Sequence, residues 1–250
     1  MTTVVVVRKN GMVAVGSDSL VTFGDTRLSH RFEANEKVFT VDAVGGPSYV
    51  ATAGTVAHFP ALRKALAALP AGELKLHSKD EVYDTFLKLH PILKDTFFLQ
   101  TKEEDADPYE SMQFSVLVAN SAGIFGLYSY REVFEFKEFW GIGSGRSFSL
   151  GAMHAVYAKA KTAFDVAQIG IEAGCEFDKS SGGPINIVTM KMGKPSKAVV
   201  KAAAKAVEEP QAKPVAKASN KASKKAAAKK SAIQSTAPAK AGAAPNGSKA

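Results

Sequence analysis

The stretch TTVVVVRKNGMVAVGSDS, near the start of the chain, limits the possible folds more than any other feature. Asn10-Gly11 between two runs of strand formers is a strong hairpin signal. A two-residue turn of this kind needs left-handed backbone at both central positions, and Asn and Gly adopt it at least cost. The flanking runs, residues 4–7 and 12–16, are apolar at consecutive rather than alternate positions, so both faces of each strand must be covered. Such a hairpin belongs in the interior of a layered fold.

The rest of the chain supplies those layers. YVATAG reads as a further strand, and TVAHFPALRKALAALP and HSKDEVYDTFLKLHPIL carry apolar residues at helical spacing, the second behind a Ser78 cap and an acidic first turn. KEEDADPYES is a charged loop. QFSVLVANSAGIFGLYSYREVFEFKEFW predicts a three-stranded meander, with turns at residues 121–123 and 129–132. GIGSGRSFSLGAMHAVYAKAKTA enters a helix from a glycine turn, TAFDVAQIGIEAGCEF predicts another helix, and PINIVTMKM a last strand. The expected fold is α+β, a four-layer α/β/β/α sandwich spanning residues 2–193, and 46% hydrophobic residues suffice for such a core. No run of 18 apolar residues occurs, so no membrane span or membrane partner is expected.

The formal net charge of +8 suggests a nucleic-acid partner until its distribution is examined. Residues 191–250 hold fourteen Lys, no Arg and two Glu, a net +12; the other 190 residues hold 18 basic and 22 acidic side chains, a net −4. Residues 194–250 are built almost entirely from Ala, Lys, Pro, Ser and Gly without an aromatic. They are expected to be a mostly disordered tail, with residues 197–209 able to form a helix when docked. A solvated tail is the preferred reading, and nucleic acid is expected only through it, since no aromatics are present to stack on bases.

One cysteine, Cys175, excludes an internal disulfide and fits a reducing cytoplasm. The five histidines, at positions 30, 58, 77, 90 and 154, show no metal-site spacing. Neither a metal nor another cofactor is expected. No basic stretch followed by an apolar block and a cleavage site opens the chain, so no leader is expected either.

Four stretches could carry chemistry. GIGSGRS departs from a dinucleotide loop in spacing and position, and its glycines permit a tight turn into a helix capped by Ser144. Asp18, in GSDS, is by itself a turn residue unless a cation lies beside it. Lys37, in EKVF, is a candidate cation, although most strand lysines reach solvent. FDKSSGGPINIV places Asp178 three residues before Ser181 and two glycines ahead of a strand, a pattern that also suits an ordinary loop. Methionine before a small residue is normally trimmed, which would leave Thr2 with a hydroxyl nucleophile and an α-amine base on one residue. The amine pKa, near 7.7–8.0, makes it a usable base at neutral pH.

Together these residues resemble the N-terminal nucleophile hydrolases, and within them the proteasome β-type subunits. The opening TTVVVVRKNGMVAVGSDSLVTFGDT is similar to that of the HslV-type peptidases, whereas DKSSGG matches the D-x-x-S-G-G of proteasome β subunits. That mixture resembles the betaproteobacterial proteasome homologues, and the similarity runs from Thr2 to about Met192. It implies Thr2 as nucleophile, Asp18 as the aspartate that fixes the lysine, and Lys37 as the lysine that lowers the threonine's proton affinity. It further implies Gly54 as the oxyanion donor and Ser144, Asp178 and Ser181 as the trio around the terminal amine. Thr22 and Val56 would hold the substrate as an added strand, and Thr52 would floor the specificity pocket. About three extra residues lie between Thr26 and Lys37, so EKVF must be the matching strand. The Lys/Ala tail stands where family members normally add another strand and a helix.

The activity implied is that of a self-compartmentalising threonine endopeptidase acting on peptides or unfolded proteins. The subunits would stack as rings, with the SGG signature favouring seven members over six. No C-terminal motif for docking an ATPase is visible, which leaves an unfoldase open. A small-amide hydrolase with the same threonine chemistry and a silent ring scaffold with a binding tail are the alternatives; Thr2, Asp18 and Lys37 together favour the active peptidase.

Overall fold

The hairpin forms as expected: β1 (Thr3–Lys9) and β2 (Met12–Ser17) pair antiparallel, with Asn10 at φ 50° and Gly11 at φ 73° in the turn. The computed structural model describes residues 2–33, 35–70, 72–101 and 108–193; the tail, and most of the KEEDADPYES loop, lie outside the described residues. β10 (Phe139–Gly143) pairs with the free edge of β1 and β11 (Asn186–Lys191) with that of β2, giving a four-stranded sheet in the order β10-β1-β2-β11. A five-stranded antiparallel sheet contains β5 (Val38–Ala43), β6 (Gly46–Ala53), β7 (Ser115–Asn120), β8 (Ile124–Leu127) and β9 (Val133–Phe136), in chain order. β3 (Val21–Phe23) and β4 (Thr26–Leu28) form a separate small hairpin.

The consecutive valines explain the layering. Side chains alternate across a strand, so Val4, Val6, Val13 and Val15 face the second sheet and pack on Ala51, Leu117, Ala119 and Ile124. Val5, Val7 and Ala14 face the opposite way, onto Met153 of α3 (Arg146–Tyr157) and Val166, Ala167 and Ile171 of α4 (Ala163–Phe177). The outer face of the second sheet, with Val50, Val116 and Phe125, is covered by Leu62 of α1 (His58–Ala67) and by Val82 and Phe86 of α2 (Lys79–Pro91). Each fully buried valine contributes about 1.5–3 kcal/mol through area removed from water, and the result is the expected α/β/β/α sandwich. Ser78 caps α2 by accepting the Glu81 N–H at 3.2 Å, and Thr162 with Asp165 closes a capping box on α4.

The meander departs from expectation at its end. KEFW does not extend the third strand: β10 begins after a two-residue link from β9 and crosses to the other sheet, where Phe139 pairs with Val7. Phe136 and Trp140 stack at 4.9 Å and 11° across the crossing. No Gly, Pro, Asn or Asp marks this bend, because aromatic packing between the sheets, rather than turn chemistry, redirects the chain. Among the described residues no helix is long and apolar enough to cross a membrane.

Candidate active site

Antiparallel pairing brings four segments to one end of the four-stranded sheet. β1 and β11 start there, β2 and β10 finish there, and the pairs Thr3–Gly143, Val4–Ser17 and Asn186–Ser17 fix the register. Thr2, Asp18, Ser144 and Ser181 occupy the adjoining ends and loops, and β6 reaches the same place: a Cβ on Gly143 would lie 3.5 Å from the Ala53 Cβ and collide with the Thr2 carbonyl oxygen. Thr2 is buried, with 1% of its surface exposed.

Asp18 and Lys37 form a buried ion pair, with Lys37 Nζ 2.8 Å from Asp18 Oδ1. Nζ also donates to the Leu20 carbonyl oxygen at 2.9 Å. Three backbone N–H groups complete the carboxylate's shell: Thr3 donates to Oδ1 at 2.9 Å, and Leu20 and Gly182 donate to Oδ2 at 3.1 Å each. Lys37 lies immediately before β5 and turns inward, so it does not reach solvent as most lysines near strands do. Burial lowers its pKa below 10.5, with attraction to Asp18 opposing the shift.

A second cluster also meets the N-terminal segment. The hydroxyls of Ser144 and Ser181 both donate to Asp178 Oδ2 at 2.6 Å, and Thr2 N donates to Ser144 Oγ at 3.3 Å. Burial disfavours the Asp178 carboxylate, but these hydroxyl bonds outweigh it and hold the pKa below 3.8. Asp178 also closes the C-terminal end of α4. The helix dipole disfavours a negative charge there, so the carboxylate depends on the serines.

Ser144 corrects one expectation. It does not cap the following helix: Gly145 occupies the N-cap of α3 without a side-chain cap bond, and the serine hydroxyl is already committed to Asp178. The glycines beside it do more than permit a turn. Gly143, at φ 92°, lies against Thr2, and any Cβ on Gly145 would collide with Thr3 Oγ1. Thr3, Leu20, Gly143, Gly145 and Gly182 are therefore site residues that sequence reasoning missed. Their signals were the second threonine of TT and the glycines of GIGSG and SGG.

The remaining expected residues lie outside the hydrogen-bonded core of the site. Gly54 follows β6 directly, and a Cβ there would meet His58 Nδ1 and Phe114 Cβ at 3.1 Å. Thr52 is fully buried, its hydroxyl has no hydrogen-bond partner among the described residues, and it shares the face of β6 that carries Val50. Thr22 is exposed on β3, and Val56, 37% exposed, precedes α1. None of Thr22, Thr52 or Val56 bonds to the Asp18–Lys37 pair or to the serine–aspartate cluster. Burial pushes the Cys175 thiol up to about 11, with Asp18 adding to the shift, which leaves it protonated and inert. Among the described residues no group of three or more His, Cys, Asp or Glu side chains could hold a metal ion.

The model of a family described as proteasome subunit matches residues 1–190. Among solved structures, Thiobacillus denitrificans BPH in complex with epoxomicin is 34% identical with a TM-score of 0.69, over 77% of this chain and 100% of that chain. A second structure of Thiobacillus denitrificans BPH is 35% identical with a TM-score of 0.69, over 76% of this chain and 98% of that chain. HslV from Trypanosoma brucei shares the fold, with a TM-score of 0.52 at 16% identity over 76% of this chain and 99% of that chain. Comparison with curated proteins finds no match.

Proposed function

Because this chain belongs to the proteasome subunit family, we propose that it is a self-compartmentalising threonine endopeptidase subunit whose nucleophile is Thr2 after removal of Met1. The observation that carries this reading is the position of Thr2, with its nitrogen 3.3 Å from Ser144 Oγ and the next residue bonded to the carboxylate that holds Lys37.

The free α-amine of Thr2 accepts the proton of its own hydroxyl as Oγ1 attacks the scissile carbonyl carbon, and the Lys37 charge lowers the hydroxyl's affinity for that proton. The Gly54 N–H stabilises the tetrahedral oxyanion. When the C–N bond breaks, the amine returns its proton to the leaving nitrogen, and Thr2 is left as an ester. A water, deprotonated by the same amine, then hydrolyses that ester. Ser144, Asp178 and Ser181 orient the amine. Peptide or unfolded-protein substrates lie as an added strand against the backbone of Thr22 and Val56, with one side chain over Thr52.

The direct test is intact mass combined with epoxomicin, the molecule bound in the Thiobacillus denitrificans BPH structure. The purified chain is expected to lack Met1 and to gain one inhibitor per subunit. A chain that has lost Met1 yet takes up none would overturn the reading.

Enclosure restrains a peptidase that would otherwise attack cytoplasmic proteins. The native mass is therefore expected to be that of two stacked rings, seven-membered rather than six-membered. Phe148 and Phe177, 43% and 68% exposed and 5.6 Å apart, and Phe32, 82% exposed, support association. A monomer by light scattering at assay concentration would contradict assembly.

Deleting residues 197–250 removes twelve lysines and two glutamates, a change of −10, and none of the proposed site residues. If the tail is the solvated appendage its composition implies, turnover of a short fluorogenic peptide should stay within about twofold. Any polyanion binding by the full chain should be steeply salt-dependent and vanish on truncation. Loss of ring assembly would instead show that residues 197–209 serve a subunit contact.

A further inference from the structure

Thr3 is fully buried beside the proposed nucleophile and touches both charged centres of the site. Its backbone N–H donates to Asp18 Oδ1, the oxygen that also receives Lys37 Nζ, and its carbonyl accepts the Asp18 N–H at 3.1 Å. Its side-chain oxygen lies 2.7 Å from Ser181 Oγ. Counting protons fixes the direction of that contact. Ser144 and Ser181 each have one hydroxyl proton, and both give it to Asp178 Oδ2. The low proton affinity of Asp178 keeps its carboxylate without a proton to return. Ser181 can therefore only accept from Thr3, and Thr3 Oγ1–H is the far donor of a chain running Thr3 to Ser181 to Asp178. Ser144, the carboxylate's other donor, keeps a lone pair for the Thr2 nitrogen.

The surroundings are shaped for this side chain. A Cβ on Gly145 would collide with Thr3 Oγ1, and one on Gly174 would collide with both Oγ1 and Cγ2. Two glycines from different elements thus make room for a single threonine, and the cage holds χ1 so that the hydroxyl points at Ser181. We propose that Thr3 is a positioning residue for the hydrolysis, locking Asp178 and Ser144 in the orientation that presents the Thr2 amine while its backbone anchors the Asp18–Lys37 pair. This rests on the threonine peptidase reading above. The hydroxyl acts through Asp178, whereas the backbone contacts survive any side-chain substitution, so the side-chain contribution can be tested separately.

The experiment compares Thr3→Val, Thr3→Ser and Thr3→Ala with the parent for kcat and KM on a fluorogenic peptide, rate of epoxomicin modification, native mass and melting temperature. Thr3→Val keeps the shape without the donor. It should lower kcat and the modification rate by roughly 10- to 100-fold, the effect expected from losing a hydrogen bond into a charged buried network, with KM and native mass unchanged. Thr3→Ser keeps the donor and should turn over within a few-fold of the parent. A Thr3→Val enzyme within twofold of the parent would overturn the proposal. So would Thr3→Ser as slow as Thr3→Val, because the methyl rather than the hydroxyl would then matter. If Thr3→Val fails to fold, Thr3→Ala against Thr3→Ser makes the same comparison. A parent that has lost Met1 but neither hydrolyses peptide nor takes up epoxomicin would refute the peptidase reading itself, a result distinct from an active parent with an indifferent Thr3→Val.

Discussion

Thr2→Ala is expected to fold and assemble like the parent and to lose peptide hydrolysis by roughly 10⁴-fold or more, the scale seen when a catalytic nucleophile is removed. The substitution takes away a hydroxyl and a methyl from a residue only 1% exposed, which costs about 1 kcal/mol in a site this small. The register of β1 against β10 and β2 is set from Thr3 onward, by Thr3–Gly143 and Val4–Ser17, so the sheet survives. The alanine variant also keeps the residue 2 nitrogen beside Ser144 Oγ; removal of Met1 turns that nitrogen into the α-amine, so the base stays in place and only the nucleophile is gone. Thr2→Ser restores a hydroxyl at the same atom and should recover much of the rate. The measurements are turnover of a fluorogenic peptide, covalent uptake of epoxomicin by intact mass, and native mass. An alanine variant as fast as the parent would refute the nucleophile assignment, and unaltered epoxomicin uptake would do the same.

What could be foreseen from the sequence depended on how local the signal was. Asn10-Gly11 and the consecutive valines foretold a hairpin buried on both faces, because turn geometry and side-chain alternation act within a few residues. Ser78 was readable as a cap for the same reason. The crossing from β9 to β10 was not readable: nothing in FKEFW breaks a strand, and the change of sheet comes from packing of Phe136 on Trp140. Ser144 fits a helix cap by position, and only the arrival of Asp178 from the end of α4 claims its hydroxyl. Lys37 read from its own neighbours as a strand lysine that would reach solvent, and only the family resemblance assigned it to the site, because its inward turn depends on a carboxylate 19 residues earlier that three backbone amides hold in place. Thr3 and its glycine cage required three separate segments to meet at one side chain.

Lys37→Ala and Lys37→Met are both expected to lose turnover by roughly 10²–10⁴-fold, the range for a group that assists proton transfer, and Lys37→Arg is not expected to restore it. Nζ sits between Asp18 Oδ1 at 2.8 Å and the Leu20 carbonyl at 2.9 Å with 1% of the side chain exposed. That space suits a compact ammonium, whereas the planar guanidinium is wider and never gives up its proton at working pH. Burial has already lowered the lysine's proton affinity, which favours a group able to respond to proton transfer at the Thr2 hydroxyl. Removing the lysine strands the Asp18 carboxylate, so stability should fall by about 3–5 kcal/mol for a broken buried pair, with the three N–H donors on Asp18 keeping the loss toward the lower end. The pH dependence separates this lysine from the others. Its folded pKa lies below the ordinary 10.5, so between the two values the unfolded chain binds the extra proton. Folding stability therefore gains a rising contribution as pH climbs through that window. Thermal melts against pH should show this contribution in the parent and lack it in Lys37→Met, whose neutral side chain fills similar space. Parent-level turnover in Lys37→Ala or Lys37→Arg would remove Lys37 from the mechanism. It would leave the Asp18 pair as a structural contact alone.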